Sequence, residues 1–411
     1  MKQTKRRKQL DEVHGNGFLK RDTDIGKRQK LAEIHKALNS DPVDIETLRR
    51  AAVSKGGLLT DELRRKVWPK LLNINGFDLP HKPGKDVREN HKDLNQVLLD
   101  VRRSMKRFPK GMPSVERAVL QEQLIDIILD VLKRHTQLHY YQGYHDVAVT
   151  LLLLVGERMA LAMLNKLSNF HLRDFMDPTM DRTKHILNYL MPILEQVDTE
   201  LHDFMMRAEV GTIFALSWLI TWYGHVLSEF KHTLRLYDFF LASHPLMPIY
   251  LAAAIVLHRE KEVKTTECDM AMVHHLLSRI PPDLPYELLI ARAQDLFDRY
   301  PPSVLAKKAA LQSRRSLSVS TFQAFQLSTL HQRPDSVLQR LTKNPGSFSR
   351  HASTSSELAL LPRDASSSVW GRGNRAVKMA VWGLSATLGA AVFAVAQTAM
   401  DWGPEVLLQL F

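Results

Sequence analysis

A chain of 411 residues, 45% of them hydrophobic, has the material for a sizeable core in one large domain or two. Its one cysteine, Cys268, excludes an internal disulfide and any cysteine-rich zinc module. The net charge of +12 is carried by the flanks: residues 1–30 hold 10 basic and 4 acidic residues, residues 301–378 hold 12 and 3, and residues 31–300 hold 34 and 35. A nucleic-acid-binding domain carries its basic excess on the folded part, so no nucleic acid partner is expected. Basic tails of this kind either solubilise the chain or suit an anionic membrane surface.

In chain order, residues 1–30 read as a disordered basic arm, with no apolar run that would make a signal peptide. Thr60 is a predicted helix N-cap with Asp61 and Glu62 in the first turn, followed by Leu63, Val67 and Leu71 at four-residue spacing. Leu94, Val97 and Leu98 open another helix, and Leu120, Leu124, Ile127, Ile128 and Val131 mark a third. Alternating strand patterns are missing, so the predicted fold class is all-α, multi-helix, with its main domain over residues 56–300. Val210–Ser228 and Leu236–Leu257 are apolar enough to raise the alternative of a polytopic membrane protein. Their scattered polar residues, and Asp238 within the second, point instead to buried core helices.

Residues 311–370 contain fourteen serines and little periodicity, the composition of a flexible linker. Phe322, Phe325 and Leu327 within it are read as a passing apolar cluster. Met379–Met400 then gives 22 uncharged residues, long enough for a transmembrane helix. Arg372, Arg375 and Lys378 precede it, and Asp401 and Glu405 follow. The positive-inside rule makes this a single-pass tail anchor with the domain facing the cytosol. The membrane is thus an expected partner, and the many Ala and Gly residues suit a thin bilayer such as the endoplasmic reticulum.

The chemistry is narrowed first by absences. No G-x-x-x-x-G-K-[ST], H-E-x-x-H or G-x-S-x-G occurs, so neither a P-loop, a zincin site nor a nucleophile elbow is expected. His139, His145, His274 and His275 lack carboxylates at matching spacing, so no metal site is expected. Three patterns remain: Val97-x-x-Asp100-x-x-Arg103; the knot from His139 through Tyr140, Gln142 and Gly143 to Asp146; and Phe214 to Trp218 continuing to Arg235–Leu241. On a helix, Asp100 and Arg103 share a face and can pair. Gly143 allows a tight path for the backbone beside Gln142.

Together, in this order, these patterns resemble the TBC domain of Rab GTPase-activating proteins. Val97, Asp100 and Arg103 match its I-x-x-D-x-x-R motif, and Tyr140, Gln142 and Gly143 its Y-x-Q-G motif. Gly57, Leu58, Arg64 and Trp68 resemble an upstream segment of the family, and Arg235 to Phe240, with Asp238, a downstream one. With the tail included, the whole chain resembles the endoplasmic-reticulum branch. The resemblance implies a protein that is not itself the enzyme. It would lend Arg103 and Gln142 in trans to a GTP-bound Rab of endoplasmic reticulum to Golgi traffic, with Asp100, Tyr140, Gly143, Arg64, Trp68 and Asp238 in support. It needs no cofactor of its own, since GTP and Mg²⁺ belong to the partner. The competing reading is a catalytically inactive Rab-binding scaffold. Tyr144-His145 stand where most of the family has Met-Asn, beside the expected active face, where they would bear on partner choice.

Overall fold

The computed structural model describes residues 25–308 and 316–343. Among the described residues there are helices and turns but no strand, as expected for the all-α class. Helix α1 covers residues 25–39 and buries Ile34, Ala37 and Leu38. Helix α2 (Ile45–Val53) is capped by the Asp44 carboxylate, which accepts from the Thr47 amide. Helix α3 (Asp61–Leu71) starts as its sequence dictates: the Thr60 hydroxyl accepts from the Leu63 amide at 3.3 Å, with Asp61 and Glu62 in the first turn. Capping of this kind satisfies an otherwise orphaned N–H and stabilises by about 1 kcal/mol. Leu63, Val67, Trp68 and Leu71 form the buried face.

The chain continues through α4 (Leu94–Arg103), a 3-10 turn (Ser104–Arg107), α5 (Ser114–Arg134), α6 (Tyr144–Val155) and α7 (Glu157–Asn169). A second 3-10 turn (Arg173–Met176) leads into α8 (Asp181–Leu187), α9 (Leu190–Val197) and α10 (Thr199–Arg207). After the turn Ile213–Ala215 come α11 (Leu216–Ile220), α12 (Phe230–Ala242), α13 (Met247–His258), α14 (Glu260–Thr265) and α15 (Met270–Ser278). Helices α16 (Tyr286–Arg299), α17 (Pro302–Lys308), α18 (Leu317–Ser328) and α19 (Asp335–Lys343) complete the described chain.

Three helices sit at the centre. Every residue of α13 from Met247 to Leu257 is buried, which an unbroken apolar stretch on a helix requires. It packs chiefly on α16, with α9 and α11 on other sides. Helix α6 lies between α5 and α7, and α12 between α2 and α3. Each large aliphatic side chain so enclosed contributes about 1.5–3 kcal/mol by leaving water. The apolar runs that raised the polytopic alternative are therefore core: Leu236–Leu257 becomes α12 and α13, and Val210–Ser228 holds α11 and its flanking turns.

Three expectations need correction. The membrane span expected over Met379–Met400 lies outside the described residues, and among the described residues no helix is long and apolar enough to cross a membrane. The described structure is all-α with no helix that could cross a membrane, so the tail anchor, the membrane partner and the endoplasmic-reticulum location, which rested on that span, find no support in it. Within the expected linker 311–370, residues 316–343 fold as α18 and α19. Phe325 is buried against Phe170 at a ring separation of 4.7 Å. Residues 25–30 of the expected arm begin α1, and Lys30 Nζ donates to the Lys55 carbonyl at 2.9 Å.

Helix α18 covers two histidines. The His171 ring lies 5.4 Å from that of Phe325 and 6.1 Å from that of Phe322, and His244 lies 5.0 Å from Phe322. Neither His171 nitrogen has a hydrogen-bond partner. Burial lowers His171 to about 3 and His244 to about 4, so both are neutral in the folded protein. In the unfolded chain each takes a proton near pH 6.5, so stability falls as pH drops below that value. For His171 the loss at pH 5 is about 2 kcal/mol relative to pH 7.5. Urea midpoints at the two pH values check this, and His171→Phe is expected to flatten the dependence.

Candidate functional site

Arg103 is the last residue of α4 and is exposed, whereas Asp100, one turn earlier, is 2% exposed. The Asp100 carboxylate accepts from Tyr140 Oη at 2.8 Å and from Gln96 Nε2 at 3.0 Å. Tyr140 lies two residues before Gln142, which is half-buried in the loop before α6. One partly buried hydrogen bond therefore ties the segment ending in Arg103 to the segment carrying Gln142. The sequence pairs Asp100 with Arg103 by helical spacing; the structure adds this link across 40 residues. Burial first, then the charge of Asp100 and its hydrogen bond, hold the Tyr140 phenol well above its ordinary value, so it stays a donor.

Gly143 caps α6 with φ +105°, a conformation that L side chains rarely adopt, and a Cβ there would meet Thr221 Cγ2 at 2.8 Å. The Gln142 loop is thus pressed onto the chain at Ile220–Thr221, and Tyr141 Oη donates to the Ile220 carbonyl at 2.9 Å. From the other side it leans on the turn Arg173–Met176. The His139 amide donates to the Met176 carbonyl at 2.9 Å, and the Tyr141 and Phe175 rings meet edge to face at 6.2 Å.

A second tie escapes motif reading. Arg107 Nε donates to Asp146 Oδ1 at 2.8 Å, joining the turn after Arg103 to the first turn of α6 after Gln142. His225 Nδ1 stands 3.3 Å from the other oxygen. Burial pushes the Asp146 carboxyl up, but His225, His145 and Arg107 outweigh it and hold the group at about 2. No local signal marks the pair, since Arg107 lies in a 3-10 turn and its partner is 39 residues away.

Tyr144 and His145, expected beside the active face, point inward. Tyr144 is fully buried and its hydroxyl meets Ser168 Oγ at 2.6 Å. His145 is 7% exposed, and its Nδ1 lies 3.5 Å from Tyr140 Oη. Burial lowers the His145 pKa, and its ring fills the space behind Tyr140. Among the described residues no group of three His, Cys, Asp or Glu side chains is arranged to hold a metal.

Arg64, Trp68 and Asp238 come together at a different junction. Asp238, on α12, is wholly buried. It accepts from Arg64 Nη2 at 3.0 Å, Trp68 Nε1 at 2.8 Å and the Leu58 amide at 3.0 Å. Gly57 (φ +54°) makes room, since a Cβ there would lie 2.4 Å from Asp238 Oδ2. Burial raises the Asp238 carboxyl, but these contacts are all N–H donors, so the ionised form is the one the site is built for. One turn earlier on α12, the guanidinium of Arg235 donates to the carbonyls of Ala52, Val53 and Ser54 and to Glu287. These residues fasten α2, α3 and α16 to α12. Ring packing leads from them toward the loop of Gln142: Trp68 on Tyr237 and Tyr237 on Trp222, which follows Thr221 in the chain.

The arrangement defines a helical domain that presents an exposed arginine and a half-buried glutamine from two segments tied together by partly buried polar bonds. Residues 61–264 match the Rab-GTPase-TBC domain model. The chain is 60% identical over 398 residues to human (Homo sapiens) TBC1 domain family member 20, covering 96% of this chain and 95% of that one. It belongs to the Rab-GTPase-TBC domain family. The GTPase-activating protein gyp10 of Schizosaccharomyces pombe is 34% identical over 260 residues, covering 62% of this chain and 68% of its own length. Among solved structures, the Ypt/Rab-GAP domain of Gyp1p superposes with a TM-score of 0.53 at 16% identity, covering 66% of this chain and 98% of that domain. The last likeness shows the fold alone.

Proposed function

We propose that this protein activates the GTPase of a Rab-type protein by lending it Arg103 and Gln142, as sequence relatives named GTPase-activating proteins suggest. The observation that carries this reading is the Tyr140–Asp100 hydrogen bond, which sets the two segments side by side within the family-matched region. GTP hydrolysis is in-line attack of water on the γ-phosphate, with negative charge spreading over phosphoryl and leaving oxygens. The GTPase supplies the P-loop and Mg²⁺. Arg103 supplies a permanent planar cation to the developing charge. The Gln142 amide accepts from the attacking water through its carbonyl and donates to phosphate through its NH₂, so that it replaces the partner's own glutamine. Asp100, Tyr140 and Gly143 position these two; Arg64, Trp68 and Asp238 hold the domain that carries them. We propose the Rab of endoplasmic reticulum to Golgi traffic as partner, on the strength of the resemblance.

The test is single-turnover hydrolysis on a panel of GTP-loaded Rabs mixed with the full chain. One Rab is expected to respond strongly, and a variant of it lacking its own catalytic glutamine is expected to remain partly stimulated. Gln142→Ala should lose about 10²-fold or more of the stimulation, the scale of one preorganised transition-state contact. Stimulation that survives Gln142→Ala but vanishes with the Rab's own glutamine would overturn the assignment of Gln142.

A further inference from the structure

Among its described residues, the serine-rich segment buries two serines, Ser316 and Ser318. Asp174, in the turn Arg173–Met176, is completely inaccessible. Its carboxylate is enclosed by residues 316–318. Ser316 Oγ donates at 2.6 Å, the Leu317 amide at 2.8 Å and the Ser318 amide at 3.1 Å, and the Ser318 hydroxyl makes a fourth short contact. Ser318 is 1% exposed. This cluster is where the segment 316–343 joins the domain. Downstream the segment is held by Phe325 on Phe170, by Arg49 Nη2 donating to Thr329 Oγ1 at 2.9 Å, and by Lys70 paired with Asp335 at 2.7 Å. It acts as a strap across the side of the molecule that carries Asp174.

Two further facts make the cluster more than a buckle. In the sequence, Arg314 and Arg315 stand four and three residues before Ser318, the spacing that arginine-directed protein kinases read. In the fold, the residues after Asp174 are the ones that support the Gln142 loop, through the Met176 carbonyl to His139 and the Phe175 ring to Tyr141. We propose that Ser318 is a phosphorylation site for an arginine-directed kinase, and that its phosphate unseats the strap and slackens the segment carrying Gln142. The γ-phosphoryl group of ATP passes to Ser318 Oγ as the bond to the β-phosphate oxygen breaks. The hydroxyl proton leaves through the kinase's base, and ADP departs. The product places close to two negative charges and three acceptor oxygens against the Asp174 carboxylate, where only donors fit and no solvent enters. The closed strap cannot hold it, so modification captures the opened state. The effect on hydrolysis rests on the function proposed above; the modification and the unseating do not.

The experiment uses the full chain, MgATP and the catalytic subunit of cyclic-AMP-dependent kinase as probe, with Phe325→Ala as a second substrate whose strap opens more readily. Phosphate is expected on Ser318 by mass spectrometry, faster in Phe325→Ala, and lost with Arg315→Ala. Hydrogen exchange of amides 317–328 should quicken about tenfold or more in the phosphorylated protein and in Ser318→Glu. Asp174→Asn should restore part of the protection in the Ser318→Glu background by removing the like charge. Ser318→Ala should stay within a few-fold of the unmodified protein. No phosphate on Ser318 in either substrate overturns the site, and unchanged exchange after phosphorylation overturns the unseating. Faster exchange at 317–328 with undiminished Rab hydrolysis overturns the link to Gln142. A failure of the functional reading shows separately, as an unmodified protein that stimulates no Rab.

Discussion

Replacing Arg103 with alanine is expected to cut stimulated GTP hydrolysis by roughly 10³–10⁵-fold, or about 4–7 kcal/mol of transition-state stabilisation. The fold should survive, because Arg103 ends α4 with its side chain exposed and the buried face of that helix is made by Val97, Asp100 and Val101. Thermal stability is expected to move by only about 0–1 kcal/mol, the scale of an exposed ion pair. Arg103→Lys should recover little, since a single ammonium cannot offer the planar fork of donors. Affinity for the GTP-bound partner should fall much less than the rate. Single-turnover kinetics at saturating activator separate the two quantities. Near-normal stimulation by a folded Arg103→Ala protein would reduce this residue to a surface charge.

The second large effect concerns stability rather than chemistry. Asp238→Ala removes the only carboxylate among the described contacts of the Leu58 amide and Trp68 Nε1, and the buried partner of Arg64. Arg64 keeps only its pair with half-exposed Asp61 at 2.7 Å, and losing the buried carboxylate while stranding two N–H groups costs about 3–5 kcal/mol. For a domain of this size the melting temperature should drop by roughly 5–8 °C. Asp238→Ala combined with Arg64→Met is expected to be more stable than Asp238→Ala alone, because the buried side of the guanidinium no longer lacks its carboxylate. Calorimetry on the three proteins checks the order. A single-variant loss below about 1 kcal/mol would mean that water enters the junction and solvates Arg64.

These outcomes mark what the sequence could and could not convey. The cap at Thr60 and the buried face of α3 were legible because capping and four-residue spacing are local. The two motif segments were legible as a pair only through family resemblance; nothing local says that Tyr140 reaches Asp100. Arg107 and Asp146 stayed hidden because an arginine and an aspartate 39 residues apart form no local pattern. The strap misled for a related reason. Serine-rich composition normally means a chain with too little to bury, yet Ser316 finds its acceptor 142 residues upstream and Phe325 needs only a few aromatic neighbours. Tyr144 and His145 were placed outward by adjacency to Gln142, whereas the helix they begin is enclosed almost throughout.

The way Arg235 is held bears on how this protein can be cut. Arg235 is 6% exposed, and its guanidinium spends its hydrogen bonds on three carbonyls at the end of α2 and on Glu287 of α16. All of those acceptors lie outside residues 61–264, the stretch by which the family is identified. A recombinant fragment trimmed to that stretch would keep the cation and discard everything that neutralises it, along with the helix that covers α13. Such a fragment should be recovered unfolded or aggregated. Its inactivity would then report a core stripped of α2 and α16, not a missing residue at the surface.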